Sequence, residues 1–142
     1  MRKKLICIWF GLQLFSAGFA QIPWLRNHQL FSGKETYNVR TIYQDVTGLI
    51  WFGTDKGLFR FDGVTLEAFT VSDGLAEDNV SAIGCVPDGT VWIGHKSGDI
   101  TIFNDLEFKV FQPEEGMGEV EISDITVDQN GWIWYSTLGE GI

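Results

Sequence analysis

The sequence is poor in the residues that would staple it, bind metal or carry positive charge. It has 2 cysteines and 2 histidines in 142 residues, and 10 basic residues against 19 acidic ones. Cys7 falls in an N-terminal leader, which leaves Cys85 alone and excludes a disulfide scaffold. Its neighbours Ile83, Gly84 and Val86 include no base, so a buried structural thiol is expected rather than a nucleophile. His28 and His95 have no partners at ligand spacing, so neither metal nor cofactor is expected. A net charge of −9 repels phosphate backbones and excludes nucleic acid as the main partner. With 44% hydrophobic and 20% charged residues, the chain is neither a disordered tail nor a membrane bundle.

Long apolar runs are also missing beyond residues 1–20. There Arg2, Lys3 and Lys4 precede an apolar run from Leu5 to Phe15, and Gly18 and Ala20 stand at −3 and −1 for cleavage before Gln21. The run is about half of what a bilayer core requires. Residues 1–20 therefore read as a signal peptide, and the rest as an exported, periplasmic chain. Its removal leaves 7 basic residues against 19 acidic, a net charge of −12.

What the sequence has in plenty is Gly (17), Phe (11) and Trp (6), arranged in a repeat. Ile42, Ile83 and Ile125 are spaced by 41 and 42 residues, as are Trp51, Trp92 and Trp134, and Gly48, Gly89 and Gly131. The units are 37–77, 78–119 and an incomplete 120–142, preceded by a segment at 21–36. The alternation of apolar and polar residues predicts four strands in the first unit, at Val39–Gln44, Leu49–Thr54, Leu58–Phe61 and Thr65–Val71. In the second it predicts Val80–Val86, Thr90–His95, Asp99–Asn104 and Glu107–Gln112. Four antiparallel strands in some 40 residues make one β-propeller blade, so an all-β fold of about two and a half blades is expected.

The repeated residues are architectural. Asp45 and Asp128 accept backbone N–H groups in a turn, and the glycine three places later takes a positive φ. Each Trp packs between neighbouring blades. Gly53 and Gly94 allow another backbone to come close, and Gly57 and Gly98 complete the second turn of each unit.

The pattern Asn38-Val39-x-x-Ile42, then Asp45-x-x-Gly48-x-Ile50-Trp51-Phe52-Gly53-Thr54-x-x-Gly57-Leu58-x-Arg60-Phe61-Asp62-Gly63, resembles the two-component regulator propeller repeat. The resemblance runs over residues 37–142. It implies seven-bladed rings in the extracytoplasmic sensor region of membrane-bound and hybrid histidine kinases, and hence a small-molecule or oligosaccharide ligand. The partners it implies are the rest of the propeller and an inner-membrane-anchored kinase, with a homodimer as the candidate assembly. The chain itself is then not an enzyme. By the same analogy, residues 22–36 supply a closing outer strand to a last blade.

There are departures. Pro87-Asp88-Gly89 shortens the second turn, His95 stands where Thr54 and Thr137 do, and Ser136 replaces the glycine. Two blades and a fraction cannot close a ring, which leaves edges exposed and marks the chain as an N-terminal fragment. His95, near a strand-connecting loop, is the candidate ligand-facing residue. Asp73, Glu77 and Asp78 lack calcium-loop spacing and read as a solvated loop. Glu114–Glu119 is a flexible acidic loop, and Trp24, Tyr37 and Phe69 could stack on a sugar, although packing accounts for most aromatics. Two other classes remain open at this stage. One is a propeller enzyme similar to quinoproteins or streptogramin lyases, and the other is a secreted non-signalling scaffold.

Overall fold

The computed structural model describes residues 35–111 and 120–139. The leader, most of the 21–36 segment with Trp24 and His28, and the acidic loop at Glu114–Glu119 lie outside the described residues. The strands in chain order are β1 (Val39–Gln44), β2 (Ile50–Thr54), β3 (Gly57–Phe61), β4 (Leu66–Phe69), β5 (Val80–Cys85), β6 (Val91–His95), β7 (Ile100–Phe103), β8 (Phe108–Phe111), β9 (Ile122–Val127) and β10 (Ile133–Thr137). They form antiparallel sheets in the orders β1-β2-β3-β4, β5-β6-β7-β8 and β9-β10. These are blades, and their first strands pack side by side with β5 between β1 and β9. The strand expected at Thr65–Val71 stops at Phe69, because Val71–Asp73 coils into a 3-10 turn.

The turn between β1 and β2 explains why the aspartate and tryptophan recur together. The Asp45 carboxylate accepts the N–H groups of Thr47 and Leu49 at 2.9 and 3.0 Å and the Thr47 hydroxyl at 2.7 Å. Its other oxygen accepts the Trp51 indole N–H at 2.8 Å, so one side chain both closes the turn and sets the tryptophan. Asp128 does the same for Trp132 N–H at 3.0 Å and the Trp134 indole at 3.3 Å. Gly48, with φ near +92°, takes the left-handed conformation the turn requires. In the second blade Val86 stands at this register, and Asp88 takes the Thr90 N–H instead.

Burial pushes the Asp45 carboxyl up, but the bonds donated by Thr47, Trp51 and Leu49 outweigh it and hold the group below its ordinary value. Its contribution is therefore present above the unfolded carboxylate pKa near ~3.9 and is lost as pH falls through the lower folded value. Asp45→Ala should cost about 1–3 kcal/mol at neutral pH. Urea midpoints of variant and parent should converge in strong acid.

Adjacent blades meet through two apolar clusters. Trp51, Leu58, Val80, Ile83, Ile93 and Phe103 fill the space between the first and second. Ala82, Ile100, Ile122 and Ile125, with Trp92, Ile133 and Tyr135 against them, fill the next. Registry places Tyr43, Trp51, Arg60 and Glu67 on the face of the first blade that meets the second. The opposite face carries Ile42 and Phe52. Ile42 is 64% exposed, whereas its counterparts Ile83 and Ile125, each covered by a preceding blade, are 3% and 4% exposed. This is why Ile50 and Phe52, in a strand expected to be buried on both faces, are only half-buried.

The close approach at Gly53 and Gly94 is made by side chains, not by the backbone expected. A methyl group on Gly53 would lie 2.6 Å from Val80 Cγ1, and one on Gly94 would lie 2.6 Å from Ile122 Cγ2. Cys85 is buried, and that burial pushes its thiol up, as suits a packing residue.

Candidate functional site

The ends of the blades differ in chemistry. One end carries the Asp45, Asp88 and Asp128 turns, which are self-contained. The other gathers the β2–β3 and β6–β7 turns and the 70–79 connector that carries the chain from the first blade to the second. Three equivalent bonds tie this end together: Asp55 N–H to Asn38 O, Lys96 N–H to Asn79 O, and Leu138 N–H to Glu121 O, at 3.3, 3.0 and 3.0 Å.

A β-bulge occurs at the same place in every innermost strand, at Arg40, Ser81 and Ser123. Bulges re-aim side chains, and the first aims Arg40 across the blade stack. Its Nη1 donates to Asn79 Oδ1 at 2.7 Å and its Nη2 pairs with the Glu121 carboxylate. One guanidinium thus joins all three blades, at residues 39 and 81 positions apart in sequence. The repeat register alone does not reveal it, because the equivalent positions are Ser81 and Ser123. A signal was available in Arg40 as the single departure from a small polar residue there.

The acidic string of the connector is engaged rather than simply solvated. Asp73 Oδ2 accepts Thr70 N–H at 2.8 Å, Asp78 Oδ1 accepts Val71 N–H at 2.8 Å, and Glu77 Oε2 accepts Ser97 N–H at 2.7 Å. The first two fold the connector on itself and the third fastens it to the second blade. Gly57 N–H also donates to Asp78 O at 2.7 Å. Among the described residues no group of three or more metal-ligating side chains comes together.

His95 is fully buried and presents no surface to a ligand, unlike the loop position expected of it. Its Nε2 lies 2.7 Å from Thr101 Oγ1, which accepts the Ala76 N–H of the connector at 3.0 Å. Thr54, its counterpart, bonds within its own turn, to Gly57 O at 2.8 Å. Substituting His for Thr therefore converts a local turn bond into a link between blade and connector.

Burial lowers the His95 pKa, opposed by the carboxylates of Glu77, Asp99 and Asp78. The unfolded chain therefore takes up the proton first as pH falls. Stability should be fully present above the unfolded value near ~6.5 and decline as pH falls through the folded one. Urea titrations between neutral and mildly acidic pH should show that loss, and His95→Thr should reduce it.

Of the aromatics considered for stacking on a sugar, Phe69 packs inward, 6.3 Å from the Trp51 ring and 5.2 Å from Phe108. Tyr37 is half-buried and meets Phe59 edge-on at 5.1 Å, with Lys56 over its ring. Trp51, Trp92 and Trp134 lie on blade faces rather than at this end. A shallow cavity of about 230 Å³ lined by Leu49, Arg60, Asp62, Thr65 and Glu67 sits away from this end.

Stacked four-stranded antiparallel blades around innermost first strands define the class as a β-propeller. Residues 33–56 match the family model described as two component regulator propeller, so the resemblance read from the repeat holds. Among solved structures, the extracellular domain described for the hybrid two component system BT3049 of B. thetaiotaomicron is similar, at 22% identity and a TM-score of 0.61. The likeness covers 68% of this chain and 14% of that one, and establishes the fold. The extracellular domain described for the hybrid two component system BT4673 of the same organism matches at 20% identity and a TM-score of 0.36, over 76% of this chain and 20% of that one. The chain thus spans a small part of the structures it matches. None of the curated proteins matches it.

Proposed function

We propose that the chain is part of an extracytoplasmic ligand-sensing propeller of a two-component sensor, whose full length carries a membrane-bound histidine kinase. The observation that carries this reading is the two component regulator propeller match at residues 33–56, which falls on the first blade's inner hairpin. The leader read from residues 1–20 supports a periplasmic location, with anchoring by the full-length protein.

The ligand, a small molecule or oligosaccharide, is taken at the connector end of the stack. Arg40, Asn79 and Glu121 supply donors and acceptors from three blades there. A ligand that favours one inter-blade arrangement shifts the sensor toward it, and only that difference in affinity transmits signal. The chain binds its ligand without turning it over.

Two measurements test this. Titration calorimetry with a panel of neutral oligosaccharides should give saturable binding for at least one, weakened by Arg40→Ala. The reading frame beyond codon 142 should run through further repeats to a transmembrane segment and kinase. No binding across the panel, or a frame leading to a catalytic domain of another kind, contradicts the reading.

A further inference from the structure

The 70–79 connector is tied to the second blade through one histidine. Thr101 Oγ1 accepts the Ala76 N–H of the connector at 3.0 Å and lies 2.7 Å from His95 Nε2, and both side chains are fully buried. A threonine hydroxyl has one proton to give, and the acceptor beside it is His95 Nε2. The neutral ring then carries its proton on Nδ1, and the bonds run one way, from Ala76 N–H through the Thr101 hydroxyl to Nε2. A protonated ring donates from both nitrogens and cannot accept, so proton uptake reverses the last of these bonds. Blade and connector also meet where Glu77 Oε2 accepts Ser97 N–H at 2.7 Å.

The surroundings decide which way protonation pushes. Glu77 and Asp78 of the connector and Asp99 of the β6–β7 turn favour the charged ring, but burial outweighs them. Lys96, the next residue in the chain, is the cation of that turn. Asp55 and Lys56 belong to the first-blade turn that meets the connector through Gly57 N–H and Asp78 O. β7 carries no charged side chain, and the titratable group of β5, Cys85, pairs with Val91 at the far end of the ladder from His95 and Val80. Because the connector closes over this strand end, lifting it returns the ring to water.

We infer that the connector is a proton-operated strap: proton uptake by His95 lifts residues 75–78 from the second blade while the blades stay folded. A closed state that disfavours the charged ring is opened by charging it, by up to about tenfold per pH unit below the open-state value near ~6.5. Asn79, where the connector runs into β5, accepts Arg40 Nη1 at 2.7 Å, so opening also frees one arm of that guanidinium. The strap itself needs no ligand; only its bearing on ligand affinity, through Arg40, rests on the ligand-sensing reading.

Amide exchange followed by NMR on the parent chain tests it. At neutral pH, Ala76 and Ser97 should be protected at least about tenfold less than Ile93, which lies mid-β6 and opens only with the blade. Between about pH 7 and pH 5 their protection, corrected for the intrinsic exchange rate, should fall at least about threefold. His95→Gln does not titrate, and its amide oxygen still accepts from Thr101. It should keep the parent's circular dichroism and abolish the fall. Two-bond 1H–15N spectra of the parent imidazole should show Nε2 unprotonated at neutral pH. These ring spectra and the comparison with Ile93 use the parent alone, so they decide the matter even where the variant does not fold. A chain that binds no oligosaccharide leaves every one of these readouts in place. Ala76 and Ser97 as well protected as Ile93 would overturn the inference. So would a fall that persists in His95→Gln, or a proton on Nε2 at neutral pH.

Discussion

Trp51→Ala should lower the stability of the chain by about 3–5 kcal/mol, the range for deleting a large buried aromatic. The side chain is 1% exposed and spans the joint between the first two blades, against Phe69 on its own sheet and Phe103 on the next. The Arg60 guanidinium lies over the same ring, 5.4 Å from its centre, and is itself held by Glu67 at 2.9 Å from Nε. Truncation opens a cavity, leaves part of the Asp45 carboxylate without its indole donor, and removes the ring beneath a cation. Urea denaturation followed by far-UV circular dichroism should show the loss as a shifted midpoint. Trp134→Ala, in the same register but half exposed, should shift it far less.

Gly94→Ala should have a comparably large effect for the opposite reason, overpacking. The added methyl would sit 2.6 Å from Ile122 Cγ2, 2.8 Å from Ile122 Cβ and 3.3 Å from Ala82 Cβ. A rotamer change relieves the first of these contacts but not the second, because Cβ moves only with its backbone. β9 must shift away from β6, at a cost of about 1–3 kcal/mol or more. The backbone of Gly94 lies outside the left-handed region, so the whole effect is steric. Because the decisive clash is with Ile122 Cβ, which alanine keeps, Ile122→Gly should cost less in the Gly94→Ala background than in the parent. Thermal melts of the four combinations would read that non-additivity.

Much of the fold was legible because its signal is periodic. Ile42, Ile83 and Ile125, the three tryptophans and the turn glycines share one register, and strands placed by alternation agree with those observed to within one or two residues at each end. The physical roles were only partly legible. That aspartate and tryptophan recur six residues apart was visible, but that the carboxylate holds the indole requires the turn to be folded first. Gly53 and Gly94 were recognised as close-approach positions, but the neighbours are side chains, Thr41 of the same blade and Val80 of the next at Gly53, and Ile122 of the next blade at Gly94.

The candidate site was least legible, because its residues break the repeat. Arg40 stands where the other blades have serine, and His95 where they have threonine. A repeat-based reading averages such differences away. His95 looked like a ligand-facing loop residue because it ends a strand beside a turn. In the fold that strand end is covered by the 70–79 connector, which turns the histidine into an internal link to Thr101.

The central claim is that consecutive repeats are blades stacked face to face, the tryptophan face of one on the apolar face of the next. A double-mutant cycle between Trp51 and Phe103 tests it most directly, since the two lie in different blades 52 positions apart with ring centres at 5.7 Å. Measured by urea denaturation, the cycle should give a coupling of about 0.5–1.5 kcal/mol or more. Strictly additive losses would mean that the two rings do not meet, and would contradict the stacking on which the site depends.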